Sequence, residues 1–228
     1  MTAPTLTLSS GHAMPVLGLG TFQATRPGEV STAVKAAVRA GYRLIDCAQG
    51  YGNQAEVGEA IAELLAEGTC TREELFIVSK VFQTHHAWEG DAERCKEALQ
   101  STLEDLRLDY LDLLLIHWPF AFQEKKLEHP PGQPQPLRLP DGSPNPVFTI
   151  RMEYCKTWGA LEGFVDSGQC RSIGVSNFTC EQLTHLCSVA RILPAVNQVE
   201  IHPYLGQTHL LEHCERSVAS RWIPDELP

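Results

Sequence analysis

Four residues with complementary chemistry, between positions 46 and 117, stand at or just beyond the ends of apolar runs. Asp46 ends one run, Lys80 a second and His117 a third, whereas Tyr51 follows Asp46 in a glycine-rich stretch. Each run has the length and composition of a buried strand. Because the carboxyl ends of parallel barrel strands form one rim, we expect the four side chains to meet there.

Together, these residue types would donate a proton to a carbonyl oxygen. A phenol has a pKa of about 10 and is a poor acid at neutral pH, but a neighbouring ammonium group stabilises the phenolate and lowers that pKa. Lys80 would supply the ammonium, Asp46 would keep it charged and oriented, and a histidine would orient the carbonyl by hydrogen bonding. Such a donor performs half of a carbonyl reduction, and the hydride must come from a cofactor.

The common nucleotide-binding motifs are missing. Gly18-Leu19-Gly20 begins like G-x-G-x-x-G, but Gln23 stands where the third glycine is needed, and no Walker motif is present. The Y-x-x-x-K pattern of short-chain dehydrogenases fails at Tyr154, because Trp158 stands four residues later. A nicotinamide cofactor would therefore need a site of a different kind.

The hydrophobic periodicity predicts an N-terminal hairpin turning at Ser10-Gly11, followed by six strand–helix units. The predicted strands are Val16–Gly20, Arg43–Ala48, Leu75–Val81, Leu111–Trp118, Ser172–Ser176 and Ala195–His202. The predicted helices are Glu29–Ala40, a helix capped by Asn53 that ends at Leu65, Asp91–Arg107, Ile150–Ser167, a helix capped by Thr179 that ends near Ala190, and Thr208–Arg216. Residues 119–146 are proline-rich and lack periodicity, which predicts a long loop.

Alternating strands and helices predict parallel βαβ units, arranged either as a doubly wound sheet or as a barrel. A doubly wound sheet gathers its site at one switch point. Here, polar residues end five successive strands, which favours an α/β fold of the (β/α)8 TIM-barrel type. These residues are Asp46, Lys80, His117, Ser176-Asn177 and Gln198. No long linker separates two cores, so residues 1–228 are expected to form a single domain.

Composition narrows the class of protein. The 228 residues carry a net charge of -10, which argues against nucleic acid as the main partner. The N-terminus lacks the pattern of a secretory signal, and no apolar run approaches the roughly 18 residues of a membrane helix. We therefore expect a cytoplasmic protein that does not bind membranes and whose eight cysteines are reduced. His209 and His213 lack a third ligand, so no metal site is expected, and His85-His86 is predicted to be a solvated loop.

Six ordered stretches resemble the aldo-keto reductase family, in its aldehyde and aldose reductase branch. They are Met14–Thr21, Gly41–Ala48, Tyr51–Gly58, Leu113–Pro119, Ile173–Phe178 and Asn197–Tyr204. The resemblance implies a (β/α)8 barrel that reduces small aldehydes or ketones to alcohols with NADPH, and we expect a monomer. It also implies that Asp46, Tyr51, Lys80 and His117 form the catalytic tetrad, with Tyr51 as the proton donor.

The resemblance assigns two further groups of residues. Contacts to the NADPH/NADP cofactor are implied for Gly20, Thr21, Asp46, Ser176, Asn177 and Gln198. Aromatic residues of the substrate pocket are implied at Phe22, Phe82, Trp118 and Phe122. Phe22 and Phe82 stand where close relatives often carry tryptophan, which changes the expected shape of the pocket.

The family pattern is incomplete in this sequence. About six βα units are present, and the expected last two units, with much of the phosphate and adenosine site, are missing. We expect this chain to bind NADPH weakly and to turn over poorly. The alternatives are a truncated isoform or fragment of such a reductase that binds cofactor or a partner without turnover, and an interaction module that uses the proline-rich segment 130–146.

Overall fold

The computed structural model of the protein describes residues 4–87, 92–124 and 148–217. Its strands are β1 (Thr5–Thr7), β2 (Ala13–Pro15), β3 (Gly18–Gly20), β4 (Leu44–Asp46), β5 (Phe76–Val81), β6 (Leu111–Ile116), β7 (Ala121–Glu124), β8 (Phe148–Arg151), β9 (Cys170–Ser176) and β10 (Asn197–Gln198). Its helices are α1 (Glu29–Arg39), α2 (Gln54–Ala66), α3 (Glu93–Leu106), α4 (Tyr154–Asp166), α5 (Cys180–Val189) and α6 (Thr208–Ser217).

Six parallel strands form the central sheet in the order β10-β9-β6-β5-β4-β3. Parallel neighbours need a crossover connection, and α1 to α5 supply the crossovers between successive strands of the sheet. The sheet curls into a half-barrel, and the β1–β2 hairpin precedes it. This arrangement confirms the incomplete (β/α)8 barrel that the sequence predicts.

Side chains on the strands alternate between two hydrophobic cores. Leu44 and Val78 belong to the inner core, whereas Ile45 and Ile77 belong to the outer core shared with the helices. This period of two places every second residue of a strand on the inner face. The same alternation carries Asp46 and Lys80 onto the inner face at the carboxyl ends of β4 and β5.

The N-terminal hairpin closes the end of the half-barrel opposite the carboxyl ends of the strands. Leu8 and Met14 are buried in the inner core. The hydroxyl groups of Ser10 and Ser172 share a hydrogen bond of 2.7 Å, which joins the hairpin to β9. Gly11 has a φ of 86°, so the predicted turn uses the left-handed conformation that glycine tolerates best.

Local element predictions were wrong in three places. Ile150, the predicted start of the fourth helix, is part of β8. This strand pairs with β7, and β7 lies inside the stretch that is predicted to be a loop. The sixth strand is two residues long rather than eight. Val16 and Leu17 precede β3 and are exposed, although the sequence predicts a buried strand there.

Some predicted features lie outside the described residues. They are the predicted start of the third helix at Asp91, most of the proline-rich stretch and the chain after Ser217. Within the described part of the chain, no helix is both long and apolar enough to cross a membrane.

Candidate active site

The register of the sheet brings three of the predicted site residues to one rim. Asp46 pairs with Val78 across β4 and β5, so Lys80 lies two residues further along β5. Lys80 pairs with Leu115 across β5 and β6, and His117 comes two residues after Leu115. Because steps of two residues keep the same face of a sheet, all three side chains stay on the inner side.

Lys80 is the centre of the hydrogen bonds at this rim. Its Nζ donates to Asp46 Oδ2 at 2.7 Å, to the Cys47 carbonyl at 3.0 Å and to the Tyr51 hydroxyl at 2.9 Å. These three bonds match the three donors of an ammonium group. Burial by itself lowers the pKa of Lys80, but Asp46 and Tyr51 outweigh burial and hold that pKa above its usual value. Lys80 is therefore a buried cation.

Tyr51 reaches this cation from a single turn of 3-10 helix, Gln49–Tyr51, that follows β4. The Tyr51 amide donates to the Ala48 carbonyl at 3.0 Å. Gly52, with a φ of 70°, ends the turn in the left-handed region. The turn places the Tyr51 ring 5.7 Å from the His117 ring, nearly edge-on at 80°. The phenol and the imidazole therefore stand side by side at the rim.

His117 is held as a neutral imidazole. Its burial, followed by the charges of Lys80 and His86, lowers the pKa of His117 to about 3. Its backbone amide donates to the Val81 carbonyl at 3.2 Å, and its carbonyl accepts from Asn177 Nδ2 at 3.0 Å. A neutral imidazole has one N–H donor, which suits hydrogen bonding to a substrate oxygen without supplying the proton.

The residues assigned to cofactor binding are linked to the same rim. Gln198 Nε2 donates to Asp46 Oδ1 at 3.0 Å, and Ser176 Oγ donates to the Gln198 carbonyl at 2.9 Å. Asn177 adopts a φ of 62°, which asparagine tolerates better than most residues, and its Nδ2 also bonds Ser176 Oγ at 3.0 Å. Thr21 Oγ1 donates to the Asp46 carbonyl at 2.9 Å, directly after Gly20 at the end of β3.

The four predicted pocket aromatics are only partly brought together. The Phe22 ring lies 5.0 Å from that of Tyr51, and the Phe82 ring lies 6.3 Å from that of His117. Trp118 and Phe122 are joined through Phe120, at 5.8 Å and 5.5 Å. Phe22 and Trp118 are exposed, at 50% and 39%, so both rings are partly open to solvent.

Comparison with known proteins identifies the family. The sequence model described as "Aldo/keto reductase family" matches residues 16–219. The chain belongs to the aldo-keto reductase family. It is 44% identical over 215 residues to Aldo-keto reductase family 1 member A1 of Mus musculus, and the aligned part covers 94% of this chain and 62% of the relative. It is 45% identical over 206 residues to Aldose reductase B of Dictyostelium discoideum, covering 90% and 63%.

Solved structures of the family show the same fold. The aldo-keto reductase of Bombyx mori, solved in complex with NADP, superposes with a TM-score of 0.80 at 36% identity and covers 99% of this chain and 66% of that one. The aldose reductase of Schistosoma japonicum gives a TM-score of 0.83 at 37% identity, covering 96% and 67%. This aldo-keto reductase chain spans a little under two-thirds of the length of the curated relatives that it matches.

The sequence does not predict the positions of two residues near this aldo-keto reductase site. Asn53 was predicted to cap α2, but its side chain makes no capping bond. Instead, Asn53 Nδ2 donates to the carbonyls of Thr21 and Ala24, at 2.8 Å and 3.3 Å, and so joins the loop after β3 to the Tyr51 turn. Its place two residues after Tyr51 was the available signal, but it fits a helix cap equally well.

His86 was expected in a solvated loop and is instead fully buried. Burial of the ring is the main cause that lowers the pKa of His86 to about 4, and the charge of His85 adds to it. A charge on His86 would in turn oppose a charge on His117. The Val81 backbone lies near enough to favour the charged ring slightly, but neither ring nitrogen makes a hydrogen bond of good geometry in the described part of the chain. Nothing in the local sequence signals this burial. Among the described residues, no group of three or more His, Cys, Asp or Glu side chains is placed to hold a metal ion.

Proposed function

We propose that this protein reduces small aldehydes or ketones to alcohols with NADPH, and that Tyr51 donates the proton. The observation that carries the proposal is the position of the buried Lys80 ammonium. It lies 2.9 Å from the Tyr51 hydroxyl and 2.7 Å from Asp46, at a rim shared with a neutral histidine. Its membership of the aldo-keto reductase family supports the same reaction class.

Each residue of the tetrad has a separate task in this proposal. Tyr51 and His117 bind the carbonyl oxygen, which orients the carbonyl group and polarises its carbon. As negative charge develops on that oxygen, the Tyr51 hydroxyl transfers its proton to it. The Lys80 ammonium stabilises the phenolate that is left, and Asp46 keeps that ammonium charged and directed at Tyr51. His117 stays neutral and keeps its proton.

The residues present fit a nicotinamide group. When bound, NADPH supplies the hydride that completes the reduction. Gln198 Nε2 is engaged by Asp46 and Asn177 Nδ2 by His117 and Ser176, whereas no described contact uses the side-chain oxygens of these two amides. Both oxygens therefore remain as acceptors for a carboxamide NH2 group. Thr21 and Gly20 border the same rim, where a ribose would lie.

The other expectations remain predictions. They concern a single domain over residues 1–228, a monomer, a cytoplasmic location, and a small carbonyl substrate without nucleic acid or membrane partners. The dinucleotide is proposed from the family and from the Bombyx mori relative, which was solved with NADP.

The deciding experiment is NADPH oxidation by the purified chain with an aromatic aldehyde, compared between the wild type and Tyr51→Phe. Loss of a general acid typically costs about 10²–10⁴-fold, so we expect kcat/KM to fall within that range. NADPH should still raise the melting temperature of Tyr51→Phe as it does that of the wild type.

Two results would count against the proposal. Equal kcat/KM for the wild type and Tyr51→Phe would show that Tyr51 is not the proton donor. A wild type that NADPH stabilises but that turns over no aldehyde would favour the non-catalytic, cofactor-binding alternative.

A further inference from the structure

Gly50 stands immediately before Tyr51. A neighbouring ring, and not the backbone conformation, explains why this position carries no side chain. Gly50 is absent from the glycines with positive φ, so an L-residue could adopt its conformation. A Cβ at this position would lie 2.7 Å and 2.8 Å from Phe82 Cδ2 and Cε2, and 3.7 Å from His117 Cε1. Carbon atoms do not approach as closely as 2.8 Å without a displacement, since their optimal separation is about 3.5–4.0 Å.

The backbone of Phe82 also contacts the Tyr51 turn, through a long hydrogen bond. The Phe82 amide donates to Gln49 Oε1 at 3.4 Å. Its ring stands 6.3 Å from that of His117 at 65°, while Phe22 lies 5.0 Å from Tyr51. The two side chains proposed to hold the carbonyl oxygen are therefore each flanked by a phenyl ring.

We infer that Gly50 is a specificity-determining residue whose missing side chain admits the Phe82 ring as the wall beside His117. The wall favours carbonyl compounds that carry a flat aromatic group, because aromatic rings pack in offset or edge-to-face contacts with a phenyl ring. A side chain at position 50 would push the Phe82 ring away and remove that surface. The inference rests on the proposed reductase function.

The selectivity of Gly50→Ala tests this directly. Values of kcat/KM are measured for 2-naphthaldehyde and for propanal. We expect the value for 2-naphthaldehyde, divided by that for propanal, to fall about tenfold in Gly50→Ala, as for other pocket changes of methylene size. The control is Gly163→Ala in α4, where a Cβ would meet nothing within 4 Å and φ is not positive. It should leave the ratio unchanged. An unchanged ratio in Gly50→Ala would overturn the inference.

A stability measurement tests the steric part without any activity. Gly50→Ala should lower the melting temperature of the chain, and adding Phe82→Leu should recover most of that loss, because the smaller side chain removes the clash. Independent, additive effects of the two substitutions would overturn the steric coupling. A wild type that reduces neither aldehyde would instead overturn the proposed function, and the selectivity of Gly50 with it, whatever the melting temperatures show.

Discussion

At the scale of single residues, the site depends on a buried ion pair that is costly to disturb. Lys80 and Asp46 are 1% and 4% exposed, so each charge has lost nearly all contact with water. Isolated charges in such surroundings are strongly destabilising, but a hydrogen-bonded pair offsets the loss. Gln198 and Tyr51 complete the bonding of the pair. Removing one member of the pair therefore leaves a buried charge without its partner, which destabilises the fold strongly.

We expect Lys80→Met to lower the free energy of unfolding by about 3–5 kcal/mol, because it leaves the Asp46 carboxylate buried without its cation. Urea unfolding at neutral pH would measure this. Adding Asp46→Asn should restore part of the loss, because the remaining pair is then uncharged. If the double variant were as unstable as the sum of the two single variants, the charge would not be the cause.

The sequence indicates which side chains meet at the rim where the signal is local, whereas their catalytic roles stay predictions. Asp46 and Tyr51 are five residues apart on a strand and the following turn, and Lys80 and His117 each end an apolar run. By contrast, the burial of His86 depends on elements that pack over it. No pattern within its own segment shows it, and the sequence therefore predicted a solvated loop there.

At the scale of elements, one carboxylate ties three strands together at the end of the sheet opposite the site. Asp112, near the start of β6, accepts from the Ile77 amide on β5 at 2.9 Å. It also pairs with Arg72 at 2.8 Å and with Arg171 on β9 at 3.0 Å. Both arginines pack on the Tyr110 ring, at 3.9 Å and 4.2 Å from its centre.

Asp112→Ala should destabilise the chain by about 3 kcal/mol, toward the lower end for a broken buried pair, because Arg171 is partly exposed and can be solvated. Unfolding in urea gives the value, and kcat/KM of the folded fraction should stay that of the wild type. The comparison variant is Glu67→Gln, which breaks the exposed pair with Arg39 and should have no measurable effect. Equal stability of the two variants would contradict this role.

Local signals predict some elements and fail for others. Thr179 was predicted as a helix cap, and its Oγ1 accepts from the Gln182 amide at 3.3 Å while Gln182 bonds back to Thr179. That motif lies within four residues, so the sequence reveals it. The pairing of β7 with β8 joins segments more than twenty residues apart. Strand pairing at that distance leaves no local period, so the sequence predicts a helix from Ile150, where the structure has β8.

At the scale of the whole molecule, the repeated order of strand and helix made the barrel type predictable. Polar residues at successive strand ends decided between the barrel and the doubly wound sheet, and the curled sheet agrees. The register could not be read from the sequence, because a slip between strands leaves the order of elements unchanged. Register is what places Asp46, Lys80 and His117 on one side of the rim.

The buried histidines should make the whole chain sensitive to mild acid. Histidine in an unfolded chain titrates near 6.5, whereas the folded chain holds the pKa of His86 at about 4 and that of His117 at about 3, mainly because both rings are buried. Below pH 6.5 the histidines therefore bind protons in the unfolded state but not in the folded state. Stability is fully present above that pH and falls as the pH drops toward the folded pKa values.

Between pH 7.5 and pH 5, each of the two histidines should lower the free energy of unfolding by about 2 kcal/mol. Urea unfolding at the two pH values measures the loss, and most carboxylates stay ionised in this window because their usual pKa values lie near 4. His86→Leu should reduce the loss by about 2 kcal/mol, while His85, whose pKa burial also lowers, still contributes to the rest. The stability of this variant at pH 7.5 should change little, because the ring nitrogens it deletes make no hydrogen bond of good geometry within the described structure. Replacing the exposed His12 by glutamine is the matched control, and the full loss should remain. An undiminished loss in His86→Leu would show that His86 takes up its proton without unfolding.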